Sequence, residues 1–184
     1  AYLEVLNITK WAISKGIEII FKKTDSALRG NIGAELKAVA DAAGEENLFF
    51  MPGYPEIHRI TKNGMHYIDG ELLENSVFGK DPFEPVKRSY IPDIINEQSC
   101  ITVRCVQSGE KIPESRKEDS SIIVCDTVTT EDIDKRLEEL QEKKCLKFIA
   151  GCAGLAARLV WKLPFEKKDG QMFRQTKALY VACG

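Results

Sequence analysis

Two hydrophobic periods alternate along the chain. Over residues 2–15 the apolar positions Leu3, Ile8, Trp11 and Ala12 recur near helical spacing, and Gly16 ends the run. Residues 17–21 are β-branched and aromatic, which predicts a strand. After a polar turn, residues 32–43 predict a helix closed by Gly44, and residues 47–51 a second strand. The same exchange returns later in the chain. It runs through a strand at 121–125, a helix over 131–143 with Ile133, Leu137 and Leu140 on one face, a strand at 146–150, a helix over 153–162 and a last strand at 178–183.

Between these halves the period changes. Residues 60–73 carry Asn63-Gly64 and Asp69-Gly70, two-residue hairpin turns flanked by β-prone residues, which predict a small antiparallel insertion. A Pro-punctuated stretch at 81–92, a strand at 100–106 and a polar loop at 108–120 follow. Strands alternating with helices of about ten or more residues imply right-handed crossovers. The expected fold is therefore α/β and three-layered, a mainly parallel sheet with helices on both faces and a small antiparallel hairpin insertion. Doubly wound domains open on a strand and close on a helix, whereas this chain opens on a helix and closes on a strand, as a domain cut at both ends does.

Composition narrows the partners. The 184 residues suffice for one domain. Lys and Arg number 26 against 28 Asp and Glu, a net charge of −2, so the basic excess that nucleic acid demands is absent. No apolar run approaches a membrane span, and the first residues carry no signal or transit pattern, so no membrane partner and a cytoplasmic location are expected. Six cysteines without a C-x-x-C pair read as reduced thiols, and two histidines exclude a multi-histidine metal site. No metal ligands are expected in this segment, nor any of the familiar Gly-rich nucleotide loops.

Three clusters could carry chemistry, each between the carboxyl end of a strand and the next element, the edge where open α/β sheets bind ligands. The densest is KKTDSALRGNIG. Arg29 offers a planar fork to a carboxylate, Lys22 or Lys23 a point charge, and Asp25 and Ser26 partners for hydroxyls, while Gly30 and Gly33 let backbone N–H groups approach an anion. Asp25 or Ser26 capping the following helix is the structural alternative. In PGYPEIHR, His58 is a candidate acid or base and Arg59 a candidate anion clamp; His66, further on, reads as a packed or surface residue. In AGCAGLA, Gly151 and Cys152 open a helix whose amino-terminus would lower the thiol pKa if the thiol pointed at it, and close helix–sheet packing is the alternative. Asp126 stands at another strand terminus, to bind a ligand hydroxyl or cap the next turn.

These clusters, in this order, resemble the four-carbon acid sugar kinase family. KKTDSALRGNIGAEL is similar to its K-K-x-D-S-x-x-R-G-N-x-G-x-E motif, PGYPEIHRITKNGMHYIDG to its P-A-F-P-x-x-G-R segment, DPFEPV to its Asp-Pro element, and AGCAGLA to its G-S-A-G-L-A turn. His58 replaces the family's Gly and Cys152 its Ser. The resemblance implies an amino-terminal lobe that binds a small anionic sugar acid, with Lys23, Asp25, Ser26, Arg29, Asn31, Arg59, Gly151 and Cys152 as candidate substrate-binding residues. It further implies residues 1–165 as that lobe lacking its first strand, and 166–184 as a linker and first strand of a separate nucleotide domain. That domain would bind ATP and Mg2+ in the full-length kinase, so none is expected on this segment, and a homodimer is compatible. A stand-alone module for binding or sensing a small carboxylate, and an enzyme dependent on Cys152, remain as alternatives.

Overall fold

Alternate side chains of a strand face opposite ways, so strands apolar at every position require cover on both sides. In the computed structural model, which describes residues 1–44, 46–113 and 121–163, β2 (Leu48–Met51), β7 (Ser121–Cys125) and β8 (Phe148–Gly151) are buried at every position. With β1 (Ile20–Lys23) and β6 (Thr102–Val106) they form a five-stranded sheet of order β1-β8-β2-β7-β6, every pair parallel. Leu48, Phe50, Ile122, Val124 and Phe148 pack on one side with Leu36 and Val39 of α2 (Ile32–Ala43) and Ile91 and Ile95 of α3 (Ile91–Asn96). Phe49, Met51, Ile123 and Ile149 pack on the other with Ile133 and Leu137 of α4 (Thr130–Glu142) and Leu155 of α5 (Ala153–Lys162). Each such buried side chain stabilises by roughly 1.5–3 kcal/mol. The opening helix α1 (Tyr2–Ser14) lies against α2, and Tyr2 Oη donates to Asp41 Oδ2 at 2.5 Å.

The insertion is a three-stranded antiparallel sheet of β3 (Arg59–Lys62), β4 (Met65–Ile68) and β5 (Glu71–Leu72). Its turns are those the sequence predicts: Asn63, Gly64, Asp69 and Gly70 all have positive φ. Asp126, just past β7, accepts the N–H groups of Asn63 at 2.6 Å and Gly64 at 3.0 Å. Thr61 and Thr127 exchange backbone hydrogen bonds at 3.1 and 3.0 Å. Asp126 thus ties the small sheet to the large one. Burial pushes its carboxyl above the usual carboxylate range despite those two donors. The turn after it is capped instead by Thr129 and Asp132, which form a capping box at the start of α4.

The first strand and the Pro-rich stretch differ from expectation. The first strand occupies Ile20–Lys23 rather than 17–21, because pairing with β8 sets its register. Within the Pro-rich stretch α3 forms from Ile91, its Pro92 tolerated in the first turn. The strand at 178–183, and all of residues 164–184, lie outside the described residues.

Candidate functional site

The loop from β1 to α2 runs along the carboxyl edge of the large sheet. Its first residue, Thr24, continues the ladder by donating its N–H to the Gly151 carbonyl at 2.8 Å. Lys22 is turned back to Glu35 on α2, at 2.6 Å, whereas Lys23 is exposed and makes no ion pair among the described residues. Asp25 and Arg29 form a fork-to-carboxylate pair, Nε to Oδ2 at 2.7 Å and Nη2 to Oδ1 at 3.2 Å. Burial opposes ionisation of Asp25, but the Arg29 hydrogen bonds and charge outweigh it and hold the carboxyl below its ordinary range. Asn31, not Asp25 or Ser26, is the N-cap of α2, and its side chain makes no capping bond.

Ser26 is held twice. Its hydroxyl accepts from Arg59 Nη1 at 2.5 Å, and its carbonyl meets His66 Nε2 at 2.9 Å. A carbonyl only accepts, so Nε2 carries the proton, and Nδ1 accepts from the Thr61 hydroxyl at 3.1 Å. His66 is fully buried, and burial drives its pKa down to about 4, with the Arg59 charge adding to the effect. The guanidinium carbons of Arg29 and Arg59 lie 5.1 and 5.0 Å from the centroid of the same ring, Phe78. Leu28 is buried with φ +57°, a left-handed conformation costly for a branched side chain and retained where surrounding packing over-determines it.

The same loop borders a cavity of about 470 Å³ walled by Lys23, Thr24, Asp25, Arg29, Asn31 and Glu84, with Ser26 and Arg59 outside its lining. Thr24 Oγ1 is buried in its wall with no hydrogen-bond partner among the described residues. A cavity of about 520 Å³ at the opposite edge, beside Ile17, Lys144 and Leu146, contains none of the candidate residues. The chemistry therefore favours the smaller one.

The remaining candidates sit behind or away from it. Gly151 is where β2, β8 and α5 meet: a Cβ there would lie 2.4 Å from the Met51 carbonyl oxygen. Gly33 likewise serves packing rather than anion binding, since a Cβ would lie 2.1 Å from the Ile95 carbonyl oxygen. Cys152 is buried, and its thiol donates to the Gly53 carbonyl at 3.2 Å. Burial raises its pKa more than the N–H groups of Gly154 and Leu155 lower it, which argues against a nucleophile. His58 is exposed at φ +55°, ending a short 3-10 turn. His58→Gly is expected to stabilise the domain by about 0.5–1 kcal/mol, relieving the left-handed strain, which thermal unfolding reads as a rise of a few degrees.

Comparison with known proteins then decides the family. A family model described as a sugar-binding N-terminal domain matches residues 1–159. The chain belongs to that family. Among curated relatives of this sugar-binding domain is the D-threonate kinase of Salmonella typhimurium, 29% identical over 160 residues, 83% of this chain and 38% of that protein. Another is the D-erythronate kinase of Heliobacterium modesticaldum, 28% identical over 145 residues, 73% of this chain and 33% of that protein. The chain spans well under half the length of the curated relatives it matches. A solved structure from Bordetella bronchiseptica, described as a domain-swapped dimer with bound citrate, is 27% identical with a TM-score of 0.68, covering 85% of this chain and 40% of that one. A Haemophilus influenzae structure shares the fold with a TM-score of 0.74 at 21% identity, over 88% of this chain and 42% of that one.

The structure brings Lys23, Asp25, Ser26, Arg29, Asn31 and Arg59, all expected from the sequence, to one neighbourhood. Thr24, Phe78, Glu84 and the contact of His66 to the loop are added by the fold, and of these only the Thr24 hydroxyl, within KKTDSALRGNIG, has a local signal in the sequence.

Proposed function

We propose that this chain is the substrate lobe of an ATP-dependent kinase that phosphorylates a four-carbon sugar acid of the threonate, erythronate or 3-oxo-tetronate class. Residues 1–165 form the lobe in this reading, and residues 166–184 lead to a nucleotide domain. The observation that carries it is the cavity itself: an ionised Asp25 able to accept from hydroxyls stands beside the cations of Lys23 and Arg29, with Thr24 and Asn31 as further hydroxyl partners. Such a mixture matches a small anion bearing several hydroxyls better than a bare anion.

In this reading ATP and Mg2+ would be held by the nucleotide domain of the full-length protein. This lobe would bind and orient the acid, and the nucleotide domain would bring the phosphoryl group to it. The domain-swapped dimer of the Bordetella relative favours a homodimer, which light scattering tests. No helix among the described residues is long and apolar enough to cross a membrane.

Calorimetric titration of the chain with D-threonate and D-erythronate tests binding, and ATP-dependent phosphorylation by the full-length protein tests the reaction. Arg29→Ala is expected to weaken binding about tenfold, the scale of one charge-assisted contact on a partly exposed side chain. Unchanged phosphorylation by the Arg29→Ala protein would count against the proposal. Binding without turnover by the full-length protein would favour a carboxylate-binding or sensor module instead.

A further inference from the structure

Fully burying an imidazole is costly unless both nitrogens find partners, and an aliphatic side chain would fill the same space without that requirement. His66 satisfies both, and one partner is the backbone of the loop that carries Asp25 and Arg29. Thr61, its other partner, lies directly opposite it in the β3–β4 ladder and is itself hydrogen-bonded through its backbone to Thr127, two residues past β7. A continuous path thus runs from the large sheet through Thr127, Thr61 and His66 to the Ser26 carbonyl. Arg59, from the same small sheet, grips the Ser26 hydroxyl.

Two residues beyond Ser26, Leu28 holds its strained left-handed backbone, and Leu28 and Arg29 donate their N–H groups back to Asp25 at 3.2 and 3.3 Å. A loop storing that strain relaxes unless it is tied from outside. We infer that His66 is a positioning residue of the sugar-acid site, fixing the Ser26 carbonyl so that the Asp25–Arg29 fork faces the cavity. This inference rests on the reading of that site given above. Because the imidazole touches the loop and not the cavity, its loss lowers substrate affinity and leaves the turnover of bound substrate nearly intact.

The test uses the full-length protein with D-threonate and D-erythronate, and compares wild type with His66→Leu, His66→Gln and Thr61→Val. His66→Leu is expected to raise KM about tenfold with kcat changed less than about threefold, well below its unfolding temperature. His66→Gln, whose amide can donate to the Ser26 carbonyl, recovers most of the loss, and Thr61→Val, which frees the proton to move to Nδ1, falls between. Amide hydrogen exchange at Leu28 and Arg29, without ligand, is expected to accelerate in the same order. If His66→Leu does not fold, Thr61→Val against wild type carries the comparison. Unchanged KM and unchanged exchange in the folded variants would overturn the inference, as would a loss confined to kcat. Accelerated exchange in a protein whose wild type binds neither acid would instead overturn the substrate assignment.

Discussion

Arg59→Ala is expected to weaken binding of a four-carbon sugar acid about a hundredfold, ten times the effect of Arg29→Ala. Arg29 is 43% exposed along its side chain and already commits Nε and Nη2 to Asp25. Arg59 is half-buried, and its hydrogen bond to Ser26 uses only Nη1. Removing it unfastens the Ser26 hydroxyl, one residue from Asp25, and strips one of the two guanidinium groups, and its positive charge, from the Phe78 ring that Arg29 shares. Charge-assisted hydrogen bonds contribute about 1.5–3 kcal/mol, and a hundredfold in affinity is about 2.7 kcal/mol. Arg59→Lys keeps the charge but loses the planar fork that reaches Ser26 and lies against Phe78, so it is expected to recover only part of the loss. Calorimetric titration at 25 °C measures all three proteins, with thermal unfolding to establish that each is folded. A loss below about threefold for Arg59→Ala would remove Arg59 from the site.

The parts of this molecule legible in its sequence are those governed by local chemistry. Asn63-Gly64 and Asp69-Gly70 announced the hairpins because their turns require positive φ at both positions, and few other pairs supply it. The end of α2 is legible in Gly44, and α4 in the single apolar face of Ile133, Leu137 and Leu140. The first strand was displaced because residues 17–21 are as β-prone as Ile20–Lys23, and pairing with β8, a contact over more than a hundred residues, chooses between them. The site divides the same way. Asp25 and Arg29 are four residues apart and could be matched by eye, whereas Phe78 reaches Arg29 and Arg59 only because the chain after the small sheet folds back over the loop. His66 in a hairpin strand carries no local sign of the Ser26 carbonyl, 40 residues earlier, that it holds. Cys152 shows the limit of local electrostatics, since the helix amino-terminus acts on its thiol as the motif suggested and burial overrides it.

Acidification from about pH 6.5 to about pH 4 is expected to cost the domain roughly 3 kcal/mol through His66 alone. In the folded protein its pKa is about 4, against 6.5 for an unperturbed imidazole. Between these values the unfolded chain holds a proton on this residue that the folded chain refuses, so stability falls as the pH falls, by up to about 1.4 kcal/mol per pH unit. Above about pH 7 neither state is protonated there, and below about pH 4 both are, so this residue imposes no slope in either range. Its charged neighbours act in opposite directions: Arg59 disfavours the imidazolium, while Asp25 favours it. The depressed carboxyl of Asp25 stays ionised through the window and contributes its own loss only at lower pH. Asp126, whose carboxyl is raised, takes up its proton earlier in the folded state and offsets part of the fall at the acid end. Urea midpoints at pH 7, 6, 5 and 4 for wild type and His66→Gln isolate the histidine, because every other titrating group is common to both. The wild-type profile is expected to descend more steeply from pH 6 to pH 4 than the variant profile, the difference between the two being the contribution of His66. Parallel profiles would mean that the imidazole ionises in the folded protein as freely as in the unfolded chain, and would leave the Ser26 carbonyl without a neutral donor.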